Sequence, residues 1–151
     1  MKKKKILLKI LAVVLIVIIG TALLAFREFY RKPKDLTNLK PKFTVSAIDF
    51  IKEFGTDDKK ADAKYLDKVI EVNGVVKEMK KDENGYYTIV LGDTSAMSSV
   101  ICSMDSLHND GLQNIARGNN LSIKGVCTGY NAEEFLGSDV ILNRAVINNK
   151  N

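Results

Sequence analysis

KVIEVNGVVKEM, residues 68–79, is the stretch that decides the fold. Ile70, Val72 and Val76 fall on one face of an extended chain, and Glu71, Asn73 and Lys77 on the other. That period of two marks a half-buried strand. Gly74 interrupts it, as a bulge or a sharp coil does. Towards the C-terminus, Asn84-Gly85 is a hairpin signal, and YYTIVLGD (86–93) and SSVICSM (98–104) read as the second and third strands. Leu107, Leu112 and Ile115 in a polar stretch predict a short helix ending at Gly118. NNLSIKGVC (119–127) then reads as a fourth strand, with Leu121, Ile123 and Cys127 on one face, and DVILNRAVI (139–147) as a fifth.

Towards the N-terminus, Ser46 with Asp49 three residues on resembles a capping box. Ala47, Phe50, Ile51 and Phe54 follow at helical spacing, with Gly55 as a C-terminal stop. A second short helix is expected over Asp57–Leu66, with Ala61, Tyr65 and Leu66 as a weak apolar stripe and its acids in the first turn, where the helix dipole favours them. The order is therefore three strands, a helix and two strands, a mainly β fold with some α. It matches a five-stranded OB-fold, a Greek-key barrel with a helix between strands three and four, here preceded by one or two short helices. A five-stranded α+β sandwich has the same element count.

Four segments taken together, KVIEVNGVV, VIC, SIKGVCTGY and GSDVILNRAVI, resemble the tRNA-anticodon-like OB-fold family of bacterial envelope proteins. The resemblance spans about Val45 to Ile147. It implies an OB-fold and an envelope location, and carries over no catalytic residue. The family often has a second cysteine in the last strand, where this chain has Ala145, so the resemblance implies no bridge from Cys127 to that strand.

Before the first helix, Lys2 to Lys5 precede an apolar stretch from Ile6 to Phe26 that is broken only by Lys9. The uninterrupted part, Ile10 to Phe26, would span about 25 Å as a helix, the short end of what a bilayer core needs. Lys9 extends it by reaching its ammonium to the headgroups. Residues 1–26 thus read as a cytoplasmic tail and a transmembrane signal-anchor, and the lysines predict an N-terminus inside. Cleavage at Gly20-Thr21-Ala22 is the other reading of the same stretch. Both put the rest of the chain outside the cytoplasm. Residues 27–42 (REFYRKPKDLTNLKPK) read as a basic linker broken by Pro33 and Pro41, and residues 43–151 as the OB-fold domain.

Charge follows the same division. The whole chain carries +5, yet from Phe43 onward there are 12 basic and 16 acidic residues, net −4. The positive excess belongs to the anchor and linker, which lowers the prospect of phosphate-backbone binding by the domain.

Chemistry-bearing residues are sparse. Cys102 and Cys127 both lie in apolar alternation and read as buried thiols or as a disulfide pair. One histidine and no CxxC leave a tetrahedral metal site short of ligands, and His108 has no nucleophile beside it in sequence. Asp57-Asp58 and Glu133-Glu134 are adjacent in sequence and do not face each other on a helix. No Gly-rich phosphate loop is present. No cofactor is expected.

OB-folds bind through strands two and three and the flanking loops. That directs attention to Tyr86 and Tyr87, to Tyr130, and to the loop 131–138 with Glu133, Glu134, Phe135 and Leu136. An acidic, apolar loop suits a protein partner better than a nucleic acid, with Lys77, Lys80 and Lys81 as the opposing evidence. The expectation is a non-enzymatic, membrane-anchored extracytoplasmic binding or structural module, in contact with the lipid bilayer and with an envelope protein or cell-wall ligand. Single-stranded nucleic-acid binding is the alternative.

Overall fold

The computed structural model describes residues 14, 15, 17–23, 26, 35–108, 111–133 and 137–148. It divides into two units, Met1–Lys34 and Asp35–Asn151. In the first, the described residues are helical, and Val14, Leu15, Val17, Ile18, Ile19, Leu23 and Phe26 are exposed. Thr21 Oγ1 bonds back to the carbonyls of Val17 (3.0 Å) and Ile18 (2.9 Å). No helix among the described residues is long and apolar enough to cross a membrane. Much of the expected span, including residues 1–13, lies outside those residues, as does the 27–34 part of the linker.

The second unit runs β1 (Phe43–Ser46), α1 (Ala47–Thr56), α2 (Asp58–Tyr65), β2 (Val69–Lys81), β3 (Tyr87–Leu91), β4 (Ser99–Met104), a 3-10 turn (Leu112–Asn114), β5 (Asn120–Glu133) and β6 (Gly137–Ile147). β2 organises it, because its two halves have different partners. Val69–Val75 pairs antiparallel with β5, and the stretch from Val76 onward pairs antiparallel with β3. The circuit continues through β3–β4 antiparallel, β4–β6 parallel and β6–β5 antiparallel, so the β2–β5 ladder closes a five-strand barrel. This is the strand connectivity of an OB-type barrel.

The bend in β2 is not where the sequence suggests. The register shifts between Val76 and Glu78, a bulge at Lys77. Gly74 instead permits a close approach: a Cβ there would lie 2.8 Å from Ala47 Cβ and 3.3 Å from Leu91 Cβ. Helix α1 therefore packs tightly onto the strand at that point. Its N-cap is the expected one, with Ser46 Oγ accepting from the Asp49 amide (3.0 Å) and donating to the Asp49 carboxylate (2.6 Å). Phe50 and Phe54 are fully buried and meet Tyr65 of α2, Phe50 edge-on at 4.9 Å between ring centroids. Gly55 does not stop the helix, which ends one residue later and is followed by Asp57, the N-cap of α2.

Three other differences depend on partners distant in sequence. β1, a parallel neighbour of β2, is too short to show a periodic signal. The helix expected before Gly118 reduces to one 3-10 turn, with Leu112 buried as its anchor. The compact unit also begins at Asp35 rather than Phe43, because residues 35–42 are strapped to the barrel. Leu36 is buried, and the ammonium of Lys124, itself only 3% exposed, donates to the carbonyls of Thr37 and Leu39 (2.9 Å each). The Lys42 amide then donates to Val69 (2.8 Å). A buried lysine is tolerated only when its donors are satisfied, and the strap supplies the acceptors.

Candidate binding face

Alternation along β3 and β4 sends Tyr87, Ile89, Leu91, Val100, Cys102 and Met104 into the core. Thr88, Val90, Ile101 and Ser103 are left on the outside, half-buried. The register pairs Thr88 with Ser103 and Val90 with Ile101, so these four form one contiguous patch. The outer face of the two strands therefore carries small hydroxyl and β-branched side chains and no aromatic or basic one.

Beside this patch lies a cleft of about 720 Å³, with Met79, Val90, Met97 and Ile115 as its apolar lining and Glu78 and Arg117 among its polar groups. The loop carrying Met97 is braced. Lys77 donates to the carbonyls of Ala96 (2.6 Å) and Ser98 (3.1 Å) and to Ser99 Oγ (2.8 Å). Asp93 accepts from the Ser95 amide (2.9 Å) and hydroxyl (2.7 Å), contacts that hold its carboxyl below the usual range. On the far side, Ser138 N–H donates to Ser98 Oγ (3.0 Å), and Gly137 sits so close that a Cβ there would meet Met97 backbone at 2.9 Å. Glu78 is paired with Lys80 at 3.1 Å.

Among the described residues, the three tyrosines singled out in the sequence do not converge. Tyr86 is 53% exposed, but Tyr87 is a core residue with Lys81 Nζ 5.0 Å from its ring centroid. It is thus removed from any surface by the strand's own alternation. Tyr130 is half-buried and stacks on Phe54 of α1 at 5.1 Å. It pairs with Val140, which lies opposite Val100 near the start of β4, whereas Tyr86 borders Asp105 and Arg144 past the other end. The two tyrosines are therefore at opposite ends of the barrel. β5 continues to Glu133 and β6 begins at Gly137, so strand pairing takes over most of the expected 131–138 loop. Glu134, Phe135 and Leu136, and the side chain of Glu133, lie outside the described residues. The cleft escaped sequence reading because Met79, Met97 and Ile115 come from three separated segments. An exposed-looking Met97 in a turn-rich stretch was the available signal.

Cys102 and Cys127 are free and fully buried. Both are register partners of Leu142, one on each side of β6. Two strand spacings, about 9–10 Å, separate them, beyond the roughly 7 Å that a bridge allows. Burial pushes both thiols up, Cys127 to about 11. No group of three metal-ligating side chains occurs among the described residues. His108 Nε2 lies 3.2 Å from Thr37 Oγ1 and 3.7 Å from Asp35, so it sits against the strap rather than in the cleft.

Comparison with known proteins agrees with this architecture. The model of the tRNA_anti-like family matches residues 1–144. No curated protein sequence matches the chain. Among solved structures, one from Klebsiella pneumoniae subsp. pneumoniae MGH 78578, described as a candidate nucleic acid-binding lipoprotein, superposes with a TM-score of 0.54 at 16% identity, covering 77% of this chain and 98% of that one. A candidate aspartyl-tRNA synthetase from Leishmania major Friedlin gives a TM-score of 0.44 at 11% identity, over 87% of this chain and 26% of that one.

Proposed function

The chain belongs to the tRNA_anti-like family, and from that premise we propose that it is a non-enzymatic binding or structural module of the bacterial cell envelope. In this reading the N-terminal helix anchors it in the cytoplasmic membrane with the N-terminus inside. The barrel stands on the extracytoplasmic side and engages another envelope protein or a cell-wall component. The observation that carries the proposal is the outer face of β3 and β4. Single-strand binders place aromatic rings over a basic groove, whereas this face offers Thr88, Val90, Ile101 and Ser103 beside a cleft lined by both apolar and polar side chains. Aliphatic and hydroxyl side chains over a braced frame suit a protein surface. The anchor is supported by the run of exposed apolar side chains on the described N-terminal helical residues and by the lysines that precede them.

Two experiments test the reading. In intact spheroplasts, external protease should digest the barrel; protection of the barrel would reverse the orientation. A photo-crosslinking residue at Ile101 should capture an envelope component in vivo, and recovery of the uncrosslinked monomer alone would remove the binding role. Single-stranded nucleic-acid binding is the second reading. It is favoured by Lys80 and Arg117 near the same face and by the description of the Klebsiella relative. A salt-dependent gel shift with oligonucleotides decides it, and no shift at low salt discards it.

A further inference from the structure

We propose that the cleft formed by Met79, Val90, Met97 and Ile115 takes an apolar peptide segment of a protein partner that carries a carboxylate, and that Arg117 receives that carboxylate. The proposal rests on the binding-module reading above and names the partner's chemistry.

The first argument is preorganisation. Met97 is 65% exposed, yet its loop is fixed from both sides, by three bonds from Lys77 and by the contacts of Gly137 and Ser138. Bracing of the backbone removes the loop-ordering part of the cost of binding, while the Met97 side chain keeps its own rotamers. Methionine is also the apolar side chain that adapts best to varied partners. The second argument is charge. Glu78, the acid of the cleft, is neutralised by Lys80 at 3.1 Å. Lys77 is committed to oxygens of the loop and Ser99, none of them a carboxylate. Arg117 is exposed, and no carboxylate is bonded to it among the described residues. The cleft therefore keeps a net positive charge beside Met79, Val90, Met97 and Ile115 in a lining of mixed polarity, and an occupant that combines a carboxylate with apolar side chains complements it. A guanidinium receives that group through two parallel hydrogen bonds. A nucleic acid would supply the charge, but the four outward residues of the adjoining strand face include no ring to stack on, and the exposed Tyr86 lies at the far end of that face beside Ser103.

The test uses the full chain in zwitterionic nanodiscs, with empty nanodiscs as the blank. Three fluorescein-labelled probes are titrated by anisotropy: a short peptide alternating leucine and glutamate, its leucine–lysine counterpart, and an oligothymidylate. The leucine–glutamate peptide should bind roughly tenfold or more tighter than the lysine one, as expected when a charge pair forms at a partly desolvated site. Arg117→Glu should abolish that preference, and Met97→Asp should weaken both peptides. Tyr86→Ala, outside the cleft, should change neither. Absence of saturable binding by the leucine–glutamate peptide, or binding indifferent to Arg117→Glu, overturns the proposal. So does oligothymidylate binding that Arg117→Glu removes, which would assign the arginine to phosphate. If the peptide fails while crosslinking at Ile101 still captures a protein, the partner chemistry falls and the binding-module reading stands.

Discussion

Single residues show where local chemistry is decisive. Gly74 is glycine because the Ala47 and Leu91 methyl and methylene groups leave no space for a Cβ. Gly74→Ala should destabilise the barrel by about 1–3 kcal/mol, the cost of overpacking, seen as a lower urea midpoint at unchanged slope. The thiols give an independent check. With Cys102 and Cys127 buried and their ionisation pushed up, a thiol reagent at pH 8 should modify neither in the native chain and both after denaturation. Rapid native labelling would show that the core opens. Glu53 accepts from Lys64 (2.7 Å) and from Tyr65 OH (2.9 Å), and the Lys64 bond chiefly holds its carboxyl below the ordinary value. A depressed carboxyl contributes stability above its unfolded pKa and loses it as pH falls through the folded one. Both partners are about two-fifths exposed, with side-chain accessibilities of 42% and 41%, so the pair is worth about 1 kcal/mol or less. Glu53→Gln should therefore cost that little near neutrality, and the difference should vanish in acid below the carboxylate range.

At the scale of elements, the strap 35–42 is the feature the sequence concealed. Its prolines and basic residues read as a spacer, yet Leu36 is buried and Lys124 holds its carbonyls. Lys124→Met removes two donors and strands both carbonyls, a loss of about 1–3 kcal/mol. Limited tryptic digestion should then cut after Lys42 well before the barrel is digested, and unchanged resistance would mean that the strap is held by Leu36 alone. The elements with strong periodicity were legible: β2 to β6 and both helices stand close to their expected places. The capping box at Ser46 and the hairpin at Asn84-Gly85 follow from side-chain chemistry within four residues. β1, the strap and the reduced helix were not legible, since each depends on a partner distant in sequence.

For the whole molecule, closure is the governing fact. Val69–Val75 pairs with Asn120–Val126, so none of the strands β2 to β6 can leave without opening the ring. Truncation after residue 136, which deletes β6, should abolish the cooperative urea transition instead of fraying one edge, measured by circular dichroism and tyrosine fluorescence together. Retention of a cooperative melt would mean that the β2–β5 ladder holds a stable sheet without β6. The candidate site belongs to this scale too. Tyr86, Tyr87 and Tyr130 are close to the loops an OB-type fold uses, but a ring's accessibility depends on which face of its strand is turned inward and what packs on it. Tyr87 turned to the core and Tyr130 to Phe54.

The sequence alone determined the succession of strands from β2 to β6, the Ser46 cap of the first helix and the concentration of positive charge before Phe43, because hydrophobic period, capping chemistry and charge are properties of neighbouring residues. The tertiary structure decided which surface the barrel offers, that Cys102 and Cys127 flank Leu142 without reaching each other, and that Lys124 fastens the strap. It also brought Met79, Met97 and Ile115 into one cleft beside Arg117. Those outcomes depend on register and closure, which join residues tens of positions apart and are set by the packing of the whole core.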